Sequence, residues 1–387
     1  MKVIVSCGGK FHAFNLAEQL DKKGYLEKLI TSYYSQKAPF FPKFRKDKEK
    51  VNLEKVVSNM FPHVLGKINS KFKLIQAIPN LDYHLLNIFD SWAKTQIVPC
   101  DIFVGWSGYS LKSLRKAKQF GAITIIERCS SHIQFQREIL EEEYKMFDYN
   151  VNPVNELTLQ KELLEYDEAD YISIPSRFVK ETFLEKGLNP SKLIHVSYGV
   201  DTSNFKQVQK EDDKFRIIYL GALSLRKGIP YLLKAYSELN LPNSELHLIG
   251  AISPEIVDTL KKYEGSFKHE GFIPHLDLYK YLSQGSVFVL PSIEEGLAYV
   301  ILQAMACGLP VICTENTGGA DVIRDGKEGF ILPIRDVGKL KEKILYLYEH
   351  ENKRKTMSEM ALKRVGEFTW DVYGEKMISL YDKLISM

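Results

Sequence analysis

VFVLPSIEEGLAYVILQAMACGLPVICTENTGGADVIRDGKEGFILP, residues 287–333, is the stretch on which the fold turns. Three short apolar runs, 287–290, 310–313 and 329–332, alternate with helix-like segments. Gly and Pro stand at the joins, as in a parallel α/β unit. Glu294-Glu295-Gly296 occupies the first join, and the helix after it runs to about Cys307, with Gly308 as its stop. A carboxylate at the carboxyl end of a parallel strand, beside a helix N-terminus, stands where such sheets bind ligands. Free amides there also suit a phosphate.

Leu297 to Cys307 is apolar almost all round, which predicts a buried helix. Gln303 interrupts it. A buried amide without a partner costs about 1–3 kcal/mol, so a partner for Gln303 is expected. At the helical rise Glu295 and Gln303 stand ~12 Å apart. That is too far to hold one atom but suits two parts of one elongated ligand, such as a sugar nucleotide. An acidic turn and a Gln bonded to a neighbouring loop fit the spacing equally well.

Pro291 to Ile312, PSIEEGLAYVILQAMACGLPVI, resembles the donor-site signature of family 4 glycosyltransferases, which have the GT-B fold. The resemblance implies an α/β chain of two Rossmann-like domains facing across a cleft. It is dense over the second half of the chain and weak over the first. The family carries Glu-x7-Glu where this chain has Glu295-x7-Gln303, so an amide stands at the position that grips the nucleotide ribose. In the loop GALSLRKG (221–228) the family has an Arg after the first Gly and a Lys before the second. Lys227 matches, Ala222 replaces the Arg, and Arg226 is either its substitute or a solvated side chain.

The remaining chain reads as alternating strands and helices. Strands are expected at 2–6, 29–32, 101–105, 122–127, 171–175, 193–196, 215–220, 245–250 and 268–272, with helices at 12–23, 111–119, 134–144, 177–186, from 230, around 254–263, and across 337–364. Residues 36–98 are irregular, with helix-like stretches in which basic and aromatic residues interleave; in the family such an excursion shapes the acceptor or membrane side. Tyr198-Gly199-Val200-Asp201 and the polar run after it look like a linker. The division expected is 1–197 for an acceptor-side domain, 198–212 for the linker, 213–365 for a nucleotide-sugar domain, and 366–387 for a helix crossing back to the first domain.

The glycine turn Cys7-Gly8-Gly9 follows the first strand and matches neither GxGxxG nor a P-loop; the resemblance implies that Gly9 approaches the donor diphosphate. ERCSSHIQFQREILEEE (127–143) resembles the family segment whose His lies at the transfer centre, which implicates His132; a lone His is otherwise a hydrogen-bonded structural group. Glu295, His132 and Lys227 are therefore the expected catalytic residues. Gly9, Arg226, Lys227, Glu295, Gly296, Leu297 and Gln303 are the expected donor-binding set. The implied reaction is retaining transfer from a nucleoside-diphosphate sugar to a glycan, lipid-linked or small-molecule acceptor in polysaccharide or glycoconjugate biosynthesis. No cofactor or metal is expected, since cationic side chains meet the diphosphate and no Asp-x-Asp motif occurs. A sugar-nucleotide epimerase of the same fold and a non-catalytic sugar-nucleotide-binding partner protein are the alternatives.

The 387 residues suffice for two domains, and 45% apolar with 26% charged residues is a soluble globular composition. Five scattered cysteines without CxxC spacing argue against a zinc site or disulfide framework and for a reducing compartment. No signal-peptide pattern or membrane-spanning run is apparent, so a cytoplasmic location is expected. Net charge is +3, yet residues 1–100 hold 16 Lys/Arg against 8 Asp/Glu. That bias suits either a solvated face or peripheral attachment to an anionic membrane. No nucleic-acid motif accompanies it.

Overall fold

The computed structural model describes residues 1–34, 50–61 and 79–386. Its first sheet contains β1 (Val3–Cys7), β2 (Leu26–Thr31), β3 (Val56–Ser58), β4 (Ile102–Trp106), β5 (Ile123–Glu127), β6 (Tyr171–Ile174) and β7 (Leu193–His195), in the order 3-2-1-4-5-6-7. The second contains β8 (Phe215–Leu220), β9 (Ser244–Ile249), β10 (Lys268–Gly271), β11 (Val287–Leu290), β12 (Val311–Thr314) and β13 (Gly329–Leu332), in the order 10-9-8-11-12-13. Every pairing is parallel. β1, β4, β8, β11 and β12 are buried throughout, as continuous Val/Ile/Leu runs between two helix layers must be.

The first sheet is flanked by α1 (Ala13–Lys22), α2 (Leu81–Gln96), α3 (Leu111–Lys118), α4 (Ile133–Met146), α5 (Glu156–Glu168) and α6 (Arg177–Glu185). The second carries α7 (Ile229–Leu239), α8 (Val257–Lys262), α9 (Leu278–Ser283), α10 (Tyr299–Ala306), α11 (Val337–Glu349) and α12 (Glu351–Val365); α13 (Trp370–Ile385) ends the chain. Strand order reverses between β1 and β4 and again between β8 and β11. Crevices outside the carboxyl ends of strands at such reversals are the ligand sites of open parallel sheets.

The chain crosses between the sheets twice, and the crossings touch. Val200 N–H donates to the Phe368 carbonyl at 2.9 Å. A Cβ on Gly199 would lie 2.4 Å from the Thr369 backbone, so only glycine fits there. Helix α13 then packs on α1 of the first domain. Gln19 and Lys22 donate to Asp371 at 2.9 and 3.0 Å, and Gly374 lies against Gln19.

Three elements depart from expectation. β3 forms an edge strand inside the stretch read as irregular; 35–49 and 62–78 of that stretch lie outside the described residues. Helix α9 is too short to show a period. Helix α5 is hidden by its charges, because its buried face is polar: Lys161 pairs with Asp90 (3.1 Å) and Glu162 with Arg128 (2.6 Å). Glu165 accepts from the Gly108 and Ser110 amides at 2.5 and 2.8 Å. Among the described residues no helix is long and apolar enough to cross a membrane.

Candidate active site

At the second strand-order reversal the loop after β8 is zipped to the loop after β11. Ile293 N–H donates to the Arg226 carbonyl at 2.8 Å. Gly228 has φ 68°, and a Cβ there would lie 1.9 Å from the Pro291 carbonyl oxygen, so the approach requires glycine. The turn after β12 clamps the same loop from the other side. Asn316 Nδ2 donates to the Ile293 carbonyl, and Glu295 N–H donates to the Asn316 carbonyl, both at 2.9 Å.

So clamped, the loop presents two adjacent carboxylates to different partners. Glu295, 8% exposed, pairs with Lys227 Nζ and accepts from Ser292 Oγ at 3.1 Å. Glu294 is fully buried and reaches into the first domain. There it accepts from Ser131 N–H (2.9 Å), Ser131 Oγ (2.7 Å) and Gln136 Nε2 (2.9 Å), while Arg226 Nη2 lies 2.8 Å away. Burial raises the pKa of Glu294, but the Arg226 guanidinium and the Ser131 and Gln136 donors outweigh it and hold the carboxyl below its ordinary value.

The expected donor-binding residues converge in part. Arg226 is half-buried: Nε donates to the Glu294 carbonyl at 3.2 Å and Nη2 to Ser130 Oγ of the first domain at 3.3 Å. A Cβ on Gly296 would lie 2.0 Å from the Cys129 carbonyl oxygen, and its own carbonyl accepts from Ser176 Oγ at 2.7 Å. Gly296 thus marks the contact between the domains. Leu297 is buried behind it, against Gly318. Helix α10 follows with no side-chain cap at its N-terminus. Gly9 stands in the first-domain loop after β1, beside the Phe11 ring.

Two residues are placed otherwise than expected. Gln303 is half-buried rather than enclosed, because Ile301, Leu302, Ala304 and Met305 take the core faces of α10. Its Nε2 lies 3.3 Å from His275 Nε2, and His275 packs on Phe205. His132 is not brought to the Lys227–Glu295 pair. It is the N-cap of α4, where Nδ1 accepts from Gln134 N–H at 3.3 Å, and its ring packs on Tyr166 and Phe183. Burial, with Arg128 and Lys186 nearby, lowers its pKa to about 3, so it is neutral.

Sequence reasoning missed Glu294, which reads as half of an acidic turn, and its partners Ser131 and Gln136. It also missed His12, visible only as a helix start. His12 is 1% exposed, between the Trp106 and Tyr198 rings, with Nε2 at 3.1 Å from Glu127 Oε2.

An uncharacterized glycosyltransferase of Methanocaldococcus jannaschii is 25% identical over 236 residues, 57% of this chain and 60% of that protein. The capsular polysaccharide biosynthesis glycosyltransferase CapM of Staphylococcus aureus is 29% identical over 182 residues, 45% of this chain and 47% of that protein. The chain thus spans about half to three fifths of the length of these relatives. The solved structure of sucrose-phosphate synthase from Thermosynechococcus elongatus superposes with a TM-score of 0.74 at 18% identity, covering 100% of both chains. Anabaena HepE in complex with UDP gives 0.69 at 15%, covering 99% of this chain and 100% of that one. Residues 200–364, the second sheet and its helices, match the sequence model of the family Glycosyl transferases group 1, and the fold of the whole chain is the two-domain GT-B architecture of the glycosyltransferases that it resembles.

Proposed function

We propose that the chain is a retaining glycosyltransferase of the family 4 type. It moves a sugar from a nucleoside-diphosphate sugar to a glycan, lipid-linked or small-molecule acceptor in cell-surface polysaccharide or glycoconjugate assembly. The observation that carries this reading is the Lys227–Glu295 pair at the β8/β11 reversal, beside the uncapped N-terminus of α10.

A diphosphate entering there competes with Glu295 for Lys227 and meets the first amides of α10. Glu295, released from its cation, is then free to accept from sugar hydroxyls and to face positive charge at the anomeric carbon. As the bond from that carbon to the diphosphate oxygen breaks, the diphosphate leaves with the electron pair. Lys227 and the α10 amides stabilise it without a metal or cofactor. The acceptor oxygen bonds to the same face of the sugar, and its proton passes to the leaving diphosphate. Gly9 lets the first-domain loop approach the diphosphate, and Gln303, beside His275, offers both a donor and an acceptor to ribose hydroxyls. Arg226 acts from behind, since Glu294 already neutralises it. The basic first quarter, half of whose Lys and Arg fall outside the described residues, suits peripheral contact with an anionic membrane that presents the acceptor.

The test is a thermal-shift screen against UDP, GDP and ADP sugars, followed by NMR of the product's anomeric configuration. A donor that stabilises the protein and a product of retained configuration are expected. An inverted product would refute retention, and isomerised free donor would make the protein an epimerase.

A further inference from the structure

The loop after β5 holds a second chemical arrangement, apart from the Lys227–Glu295 pair. Cys129 Sγ lies 3.9 Å from His12 Nδ1, and the opposite ring nitrogen, Nε2, lies 3.1 Å from Glu127 Oε2. A sulfur, an imidazole and a carboxylate in line form the nucleophile–base–orienter geometry that activates thiols. The carboxylate is 1% exposed. Its other oxygen, Oε1, is buried and has no hydrogen-bond partner among the described residues. The Tyr198 hydroxyl lies beside the sulfur and has no oxygen or nitrogen partner there either.

Burial opposes a charge on His12, but Cys129 and Glu127 outweigh it and raise its pKa to about 9. With Glu127 on its far nitrogen, the ring is placed to take the thiol's proton, and the imidazolium so formed lies beside the attacking sulfur. The other ionisable groups around the thiol are Cys7 on β1, Tyr109 after β4, Arg128 beside it, Tyr198 at the hinge, Tyr299 on α10 and Tyr373 on α13. Cys129 is partly exposed, whereas Cys7, Cys100, Cys307 and Cys313 are buried.

We propose that Cys129, activated by His12 and Glu127, is a covalent modification site for soft carbon electrophiles and peroxides. With iodoacetamide the sulfur forms a C–S bond, the C–I bond breaks, and iodide leaves with the electron pair. The proton given up by the thiol is held by His12 and passes to water. With hydrogen peroxide an S–O bond forms and the O–O bond breaks. Sulfur is oxidised by two electrons to a sulfenic acid, peroxide is reduced, and the departing hydroxide takes a proton to become water.

The experiment treats the native protein at pH 7 with limiting iodoacetamide, then hydrogen peroxide with a sulfenic-acid trap, and maps each cysteine by peptide mass spectrometry. Glutathione in the same tube is the reference, because exposure alone brings a thiol no higher than a free one. Cys129 is expected to react at least fivefold faster than glutathione and at least tenfold faster than the other four cysteines. In a folded His12→Gln variant the rate should drop to that of glutathione or below. A parent rate no higher than that of glutathione overturns the proposal, and this arm needs no variant. An undiminished rate in folded His12→Gln protein overturns the role of the imidazole.

Discussion

Removing the Glu294 carboxylate tests whether it holds the two domains together. Glu294→Ala leaves Arg226 without its nearest carboxylate and strips Ser131 N–H, Ser131 Oγ and Gln136 Nε2 of their common acceptor. Breaking a buried pair from one side typically costs about 3–5 kcal/mol. The protein can recover part of that by letting the domains separate so that water reaches the stranded donors. The cost must therefore appear as a lower urea midpoint, a larger radius of gyration, or both. Glu294→Gln keeps an oxygen for Ser131 but turns an NH2 toward Gln136 Nε2 and Arg226 Nη2, so it should still cost at least about 1.5–3 kcal/mol. Because the folded-state pKa of Glu294 is depressed, its contribution is present above the unfolded value of about 4.3 and is lost as pH falls through the folded one. Circular dichroism in urea and small-angle scattering, on parent and both variants, measure the two effects. An Ala variant within about 0.5 kcal/mol of the parent, with an unchanged radius of gyration, would refute the reasoning.

Glu295→Ala and Lys227→Ala should each lower transfer about a hundredfold or more in protein that still folds, since preorganised charge at such a site supplies about 3–4 kcal/mol; near-normal kinetics in either would end the donor-site assignment. Gln303→Glu should change donor affinity by no more than about tenfold, while Gln303→Leu binds donor more weakly; equal Kd values for Leu variant and parent would leave Gln303 a structural partner of His275. His132→Asn should keep the α4 cap and most activity. Neutral His132 is lost as a stabilising group when pH falls from about 6.5 toward 3, so between pH 7 and 5 the parent should lose up to about 2 kcal/mol more than the Asn variant, and parallel losses would contradict a buried neutral imidazole.

The parallel sheets were legible because both-face burial writes itself as unbroken apolar runs: Val287–Leu290 and Phe215–Leu220 stand where periodicity places them. Helix α5 was not, because its inward Lys161, Glu162 and Glu165 are matched by partners distant in sequence, and hydropathy does not see a partner. The same blindness explains the site. Glu295 and Lys227 could be picked out by motif and do meet. Glu294 could not, since its meaning lies in Ser131 and Gln136, 163 and 158 residues away. His132 shows the other side of this: a His after a strand end reads as chemistry, and the same position is also a helix N-cap, whose Gln134 partner a residue pattern does not single out.

The two carboxylates also divide the positive charge of the loop after β8. Arg226 gives its guanidinium to a Glu294 that three donors hold in place, so releasing it means dismantling the domain contact. Lys227 faces Glu295, whose other side-chain contact is the Ser292 hydroxyl. A diphosphate with about two negative charges outcompetes a single carboxylate for a lysine more readily than it extracts an arginine from that network. On the function proposed above, donor entry would exchange the Lys227 pair and leave the Arg226 pair intact. On the same proposal the exchange would turn Glu295 from a lysine's partner into a free acceptor for the sugar, while Glu294 keeps its hold on Ser131 of the facing loop.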